Sequence, residues 1–550
     1  MFIRNRFLIV FIIILLFSGF VTKDNDIYFE INKGIDIFGR VYKEVAVNYV
    51  DPLNPEEFML AGINGMLESL DPYTNFIDGA SQKDIDIITK GKYGGIGATI
   101  GLRNDGITIV DLIEGYSAQR QGLRIGDIII QIDSVKVNKE KYNELGEYLK
   151  GDPGTPVNIL IQRDGSQEDI LFKLIREEIE VKNLSYYAFY PESSNNAYLK
   201  LSGFTRTAGD EVKKALLDLS AQKTIASITL DLRGNPGGLL DAAIDVCEKF
   251  LKKGELIVSV KGRDTIQTKK YVSAEEPIAN IKKFVILIDE YSASASEIVA
   301  GAMQDHDRAV IVGANSFGKG LVQTIIPLSY NTSLKITTSR YYTPSGRSIQ
   351  KLDYSSKNKV FQEGNKIVNG KFHTDNNREV LSAGGITPDS VVNNKSTSFI
   401  IQKLLAEGMF FQFATYLFNN NPSEDFTKIS NHKLIDSFTH YLKTSKFEIS
   451  SPTQKLIDQL KSAANEEKLD EKFISTLNEA KKQISLNQTK EIHKHQEEII
   501  SFIKEELAAR VSGRTGRIKE SLKVDSQFII ASNILANEEL YKNLLNSKKK

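Results

Sequence analysis

Five consecutive apolar residues, Phe284-Val285-Ile286-Leu287-Ile288, give way within seven positions to a helical pattern, and this junction most constrains the fold. The run is short, continuous and partly β-branched, which reads as a buried strand. From Ala295 to Gln304 the period changes, and Ile298, Val299, Ala302 and Met303 form one apolar stripe. A further apolar run, Ala309-Val310-Ile311-Val312, follows. Strand and helix patterns alternate in this way over residues 179–395, which predicts an α/β core.

The residues at the junction carry chemistry. Ser294 lies in Ser292-Ala293-Ser294-Ala295-Ser296-Glu297-Ile298, between the strand and the helix. There the unpaired N–H groups and dipole of a helix start favour a developing negative charge. A serine hydroxyl is a weak nucleophile until a base takes its proton. Lys319, in Phe317-Gly318-Lys319-Gly320, is such a base if burial lowers its pKa, since an exposed ammonium stays charged at neutral pH. Its flanking glycines let backbone approach closely. The strand-like Leu321-Val322-Gln323-Thr324-Ile325-Ile326 places Lys319, Leu321 and Gln323 on one face. A neutral amide at Gln323 orients the lysine without restoring its charge, as a carboxylate would.

Two plainer readings compete. Ser-Ala-Ser-Ala-Ser is also a small-residue helix start, and Ser292 and Ser296 are read that way, as cap and packing residues. Gly313-Ala314-Asn315-Ser316-Phe317-Gly318-Lys319 matches the first seven positions of a P-loop. It fails at the eighth, where Gly320 replaces the magnesium-binding Ser/Thr, and a strand rather than a helix follows.

The composition narrows the class. Lys plus Arg equals Asp plus Glu at 70 each, so no net field draws the chain to nucleic acid. Cys247 is the single cysteine, which excludes an internal disulfide and a cysteine metal cluster. It reads as a buried small hydrophobe. The histidines lack ligand spacing, and no metal or cofactor is implied. At the N-terminus, Arg4 and Arg6 precede an uncharged stretch of mostly Ile, Leu, Phe and Val from Phe7 to Thr22. This predicts export, with residues 1–22 a signal peptide or a short membrane anchor, and a periplasmic or cell-envelope location. No cysteine ends the segment, which argues against a lipoprotein.

Several long motifs occur in order: Asp231-Leu232-Arg233-Gly234-Asn235-Pro236-Gly237-Gly238, Ser292 to Ile298, Gln304 to Val310, Gly318 to Gln323, Tyr341 to Arg347 and Gly385-Ile386-Thr387-Pro388-Asp389. Over roughly residues 35–395 the chain resembles the carboxyl-terminal processing peptidases, or tail-specific proteases. The resemblance implies a crotonase-like serine endopeptidase core with Ser294 as nucleophile, Lys319 as general base and Gln323 as its orienting partner. It also implies an oxyanion hole built from the Ala295 amide and that of Gly237 or Gly238. His306 falls where the family varies and receives no catalytic role.

Three further segments complete the chain, the first two within the resemblance and the last, residues 396–550, read from its composition and helical spacing alone. Residues 30–86 form an N-terminal helical region, where Ile31, Ile35, Phe38, Val41 and Val45 are expected to pack as one apolar face. Residues 90–178 read as short strands with glycine turns. Tyr93-Gly94-Gly95-Ile96-Gly97 and Gly122 to Asp127 resemble a PDZ domain inserted before the core, which captures a protein C-terminus as an added strand. Residues 396–550 are a charged helical extension, read as helices packed on the core, with an oligomer contact or a lid as the functional alternatives. The expectation is an exported endopeptidase cutting proteins near their C-termini. The competing reading is a catalytically silent PDZ scaffold, which would have no need of Ser294, Lys319 and Gln323 together.

Overall fold

The computed structural model describes residues 24–79, 87–89, 91–103, 106–263, 268–354, 365–366, 370–392, 397–421, 426–445, 447 and 452–546. The expected targeting segment, residues 1–22, lies outside them. The chain divides into two compact units, one of residues 1–77, 325–336 and 354–363, the other of residues 78–324, 337–353 and 364–550.

In the first unit, α1 (Asp24–Asn48) and α2 (Pro55–Glu68) form a pair. The Asn54 side chain caps α2 by accepting from the Glu56 N–H, with Pro55 at the first helical position. Tyr42 stacks on Phe58 at 5.7 Å between centroids. The apolar stripe of α1 does not pack as expected: Ile31, Ile35, Phe38 and Val41 are exposed. A 14-residue partner offers too little surface to cover a 25-residue helix. The short strand β1 (Asn75–Ile77) pairs antiparallel with residues 333–335.

The second unit begins with a mainly-β module. Its strands are β2 (Lys92–Gly95), β3 (Ala98–Arg103), β4 (Gly106–Leu112), β5 (Ile128–Ile132), β6 (Pro156–Gln162), β7 (Ile170–Ile175) and β8 (Glu177–Glu180), with helix α3 (Tyr142–Leu149) before β6. The main sheet runs β3-β4-β5-β6-β7 and is antiparallel throughout, while β2 pairs with β8. Ile107, Ile109, Ile129, Ile159, Ile161 and Leu174 alternate inward along these strands and meet Leu145 and Leu149 of α3.

The α/β core follows as β9 (Leu184–Phe189), β10 (Asn196–Leu201), α4 (Ala208–Gln222), β11 (Ser227–Asp231), α5 (Leu240–Glu248), β12 (Leu256–Gly262), β13 (Thr268–Val272), β14 (Lys283–Ile288), α6 (Ala295–Asp305), β15 (Val310–Gly313), β16 (Leu321–Pro327, its residues 321–324 in this unit), β17 (Ser333–Tyr342, its residues 337–342 in this unit) and β18 (Ser390–Val391). The six-stranded central sheet has the order β9-β10-β11-β14-β15-β18, with only the first pair antiparallel. A second sheet pairs β12 with β13 and with residues 339–342 of β17. Alternation along β14 sends Phe284, Ile286 and Ile288 to one face of the central sheet and Val285 and Leu287 to the other.

The C-terminal helices are α7 (Phe399–Ala406), α8 (Met409–Asn420), α9 (Asn431–Thr444), α10 (Pro452–Glu466), α11 (Glu471–Lys494), α12 (Gln496–Ser521), α13 (Ser526–Ala536) and α14 (Glu538–Leu545). Ile401, Phe410, Phe413, Phe438, Ile499 and Ile503 build a separate core among α7, α8, α9 and α12. In contrast, α13 and α14 lie on the central sheet of the α/β core, with Phe528, Ile534, Leu535 and Tyr541 against Val285, Leu287, Val310 and Val312. Among the described residues no helix is long and apolar enough to cross a membrane.

Candidate active site

The Ser294 backbone sits at φ +55°, ψ −111°, a left-handed conformation costly for a residue with a Cβ. It is the cap position of α6, reached by a short loop from the end of β14 at Ile288. Such a sharp turn presents a side chain at the mouth of a parallel sheet while leaving the first N–H groups of the helix facing the same space.

The strained turn is held from several sides. The Glu297 carboxylate, fully buried one turn into α6, accepts from the Ser294 N–H at 2.8 Å, the backbone half of a capping box. It also accepts from the Ser316 hydroxyl at 2.5 Å, the Gly318 N–H at 2.7 Å and the Lys319 N–H at 2.9 Å. One carboxylate therefore ties the loop bearing Ser294 to the loop bearing Lys319. Burial pushes the Glu297 carboxyl up to about 7, against the pull of these same hydrogen bonds. The buried Tyr341 hydroxyl reaches the backbone carbonyls of both Ser294 and Lys319.

Lys319 is half-buried. Its loop is fixed further by the Gly320 N–H donating to Gln350 Oε1 at 2.7 Å and the Lys351 N–H donating to the Gly318 carbonyl at 2.9 Å. Gln323 stands on β16 and donates Nε2–H to Thr337 Oγ1 on β17 at 3.1 Å.

The glycine turn after β11 closes the group. Gly237, at φ +97°, lies so near the serine turn that an added Cβ would sit 2.6 Å from the Ala293 carbonyl and 2.9 Å from the Ala295 nitrogen. Only glycine leaves that space open. Gly237 donates its N–H to Asn235 Oδ1 at 2.9 Å. Gly238 adjoins Phe204, whose carbonyl accepts from the Leu239 N–H at 2.8 Å. The Asn235 carbonyl accepts from the Ala293 N–H at 3.1 Å and the Ser296 hydroxyl at 2.9 Å, so two hydrogen bonds tie the turn to the helix start.

Ser296, read from the sequence with Ser292 as a cap or packing residue, is buried and also ties the helix start to the glycine turn. Ser292 is fully buried and donates its hydroxyl to the Leu232 carbonyl at 2.9 Å; the helix cap itself falls to Ser294. His306 has Nδ1 2.8 Å from Asp375 and Nε2 2.7 Å from the Leu256 carbonyl, at the far end of α6. Cys247 is buried as expected. Reading by catalytic residue type passes over Glu297, Tyr341 and Asn235. The signal for Glu297 was its S-x-x-E spacing at a helix start.

In the mainly-β module, Tyr93-Gly94-Gly95 belong to β2, and Ile96-Gly97 lead into β3. Gly97, at φ +78°, packs against Tyr116, where a Cβ would come within 2.4 Å of that side chain. The Gly94 carbonyl accepts from the Gly151 N–H at 3.1 Å, just past α3. The strand β3 closes one end of the sheet order, and the Tyr142 hydroxyl of α3 donates to its Ile100 carbonyl at 3.4 Å. This is an edge strand facing a helix, the arrangement into which a peptide strand adds.

Comparison with known proteins gives the family. Residues 195–356 match peptidase family S41, residues 108–163 a PDZ domain, and residues 400–535 the C-terminal helical domain of probable PDZ-proteases. The chain is 38% identical over 352 residues to a carboxy-terminal-processing protease of Bartonella bacilliformis, covering 64% of this chain and 79% of that protein. It is 31% identical over 435 residues to a probable CtpA-like serine protease of Staphylococcus aureus, covering 76% and 84%. Among solved structures, a photosystem II D1 C-terminal processing protease aligns at 23% identity over 64% of this chain and 85% of its own, with a TM-score of 0.36. The molecule is a serine-type peptidase with a PDZ domain, an N-terminal helical region and a C-terminal helical domain. It belongs to peptidase family S41, with the carboxy-terminal-processing proteases.

Proposed function

We propose that this peptidase cleaves proteins near their C-termini by a Ser/Lys mechanism. Ser294 Oγ attacks the scissile carbonyl carbon as the neutral Lys319 amine takes its proton. The carbonyl electron pair moves to oxygen, which the Ala295 N–H and an amide of the glycine turn receive. Gly238 is our choice, because the Gly237 N–H already serves Asn235. Collapse breaks the C–N bond, Lys319 returns the proton to the leaving amine, and water activated by the same lysine hydrolyses the ester. Gln323, four residues further on in β16, orients Lys319.

One observation carries this reading: the Glu297 carboxylate holds both the strained Ser294 turn and the Lys319 loop. In this proposal the PDZ module supplies the substrate, its Tyr93–Gly97 loop receiving the terminal carboxylate and β3 the peptide strand. The domain limits proposed are those of the sequence reading, with the module at 90–178 and the core at 179–395. Arg4, Arg6 and the apolar stretch to Thr22 support export to the cell envelope.

The test is cleavage of an unfolded protein by the purified full chain. Ser294→Ala and Lys319→Arg should each lose activity by at least about 10⁴-fold, because the pair acts as a unit and guanidinium cannot give up its proton. An active Lys319→Arg enzyme would rule out the lysine base.

A further inference from the structure

The C-terminal helices reach the catalytic loops through one arginine. Arg233 opens the glycine turn, and its guanidinium is shared between two carboxylates. Nε donates to Asp231 Oδ1 at 2.9 Å and Nη2 to Asp231 Oδ2 at 2.6 Å, on the end of β11. Nη1 donates to Asp525 Oδ1 at 3.0 Å and Nη2 to Asp525 Oδ2 at 2.6 Å. Gln527 Oε1 accepts from Nη1 at 3.1 Å. Asp525 and Gln527 stand at the start of α13, some three hundred positions along the chain from Arg233.

From the geometry we infer that Asp525 is a positioning residue for the oxyanion-binding turn, and that the end of the chain is part of the catalytic scaffold. The inference rests on the proposal that the turn binds the oxyanion.

The charge balance supports a fixed role. Lys200 Nζ lies 3.1 Å from Asp231 and donates to the Arg233 carbonyl at 2.9 Å, and the Tyr198 hydroxyl donates to Asp231 at 2.6 Å. Two cations thus meet two carboxylates in a largely buried cluster, and removing Asp525 leaves one cation without its counter-charge. Burial opposes ionisation of Asp231, but the Arg233 and Lys200 charges hold its carboxyl well below the usual range. The backbone leaves this cluster already constrained. The Gly234 N–H donates to the Asp289 carboxylate at 3.0 Å, and the Asn235 side chain donates to the Leu201 carbonyl at 2.9 Å. Gly237 and Gly238 follow, so Arg233 sets where the chain enters the turn whose Gly238 amide is proposed to face the substrate oxygen.

Asp525→Asn tests this cleanly. Asp525 also caps α13 by accepting from the Phe528 N–H at 3.0 Å, and asparagine caps a helix equally well, so the helix keeps its start while the bidentate charge is lost. The control is Glu538→Gln. It removes a different contact of the chain end with the sheet, the 2.8 Å pair with Lys283, far from the turn in sequence. Both are measured in the full chain on a short peptide, beside Ser294→Ala. Asp525→Asn should lower kcat by about tenfold with KM unchanged, a fraction of what one lost oxyanion donor costs. Glu538→Gln should leave both constants alone. An unchanged kcat for Asp525→Asn overturns the inference, as does an equal fall in both variants, which would mean only general docking. An active Ser294→Ala enzyme would instead overturn the mechanism beneath it. If Asp525→Asn fails to fold, Gln527→Met removes one acceptor of Nη1 and should lower kcat about threefold; no change there overturns the inference as well.

Discussion

The two faces of the central sheet are covered by parts of the chain that lie at very different distances along it. One face, with Leu230, Phe284, Ile286 and Ile288, is covered by α4, α5 and α6, the helices that connect its own strands. The opposite face, with Tyr198, Val285, Leu287, Val310 and Val312, is covered by α13 and α14 from the end of the chain. A parallel sheet has to be buried on both sides. When every crossover helix lies on one side, a distant segment must supply the other layer. The near face therefore comes with the motif-bearing strands, whereas the far face depends on long-range closure.

Deleting residues 522–550 should break this arrangement outright. The far face would expose a contiguous apolar patch, and the protein should be insoluble or inactive in the unfolded-substrate assay. A soluble, fully active truncation would mean that α13 and α14 are a dispensable cover.

Single side chains report how firmly each layer is held to the sheet. Phe528 is buried and lies edge-on to Tyr190 and Tyr198, each at 5.3 Å between centroids. Phe528→Ala should destabilise the second unit by about 3–5 kcal/mol in denaturant unfolding. Met303→Ala on the near face, where Met303 is fully buried, should cost about 2–5 kcal/mol. Comparable losses in one transition make the faces a single cooperative unit. A loss below about 1 kcal/mol for Phe528→Ala would mean that the far layer is only loosely docked.

The same contrast explains what could be read in the sequence. The strand at Phe284–Ile288 and the helix from Ala295 were legible because local periodicity alone specifies them, and β14 and α6 occupy those positions. Packing of the C-terminal helices on the core was expected, and α13 and α14 do pack there while α7, α8, α9 and α12 build a core of their own; which face would be covered was not legible, since the apolar face of an amphipathic helix does not say which surface covers it. The α1 stripe misled for the same reason, its spacing being helical while its partner surface is too small. At the site, the reacting residue types drew attention, and the groups holding them did not. Glu297 is an ordinary capping glutamate by pattern; its role exists only because Ser316, Gly318 and Lys319 return to it after the next strand.

The smallest expected effect separates the two sides by pH. On the near side Glu297 is pushed up to about 7, whereas on the far side the charges of Arg233 and Lys200 hold Asp231 down despite its burial. A carboxyl raised in the folded state contributes stability that is present below its unfolded pKa and is lost as pH rises through the folded one. Asp231 has the opposite sign, and its contribution disappears only in strong acid. Going from pH 8 to pH 5.5 should therefore stabilise the second unit through Glu297 by about 1–2 kcal/mol while leaving Asp231 ionised. In the mechanism proposed above a base that has to be neutral also costs activity on acidification, so activity alone cannot isolate Glu297; stability can. Glu505, also pushed up to about 7 by burial and then by the nearby Glu506, adds a gain of the same sign, so the comparison has to be made against a variant. Urea unfolding of wild type and Glu297→Gln at both pH values isolates the Glu297 share. If the gain on acidification is the same in the two proteins, Glu297 does not titrate in this range, and the carboxylate is locked by its donors at every working pH.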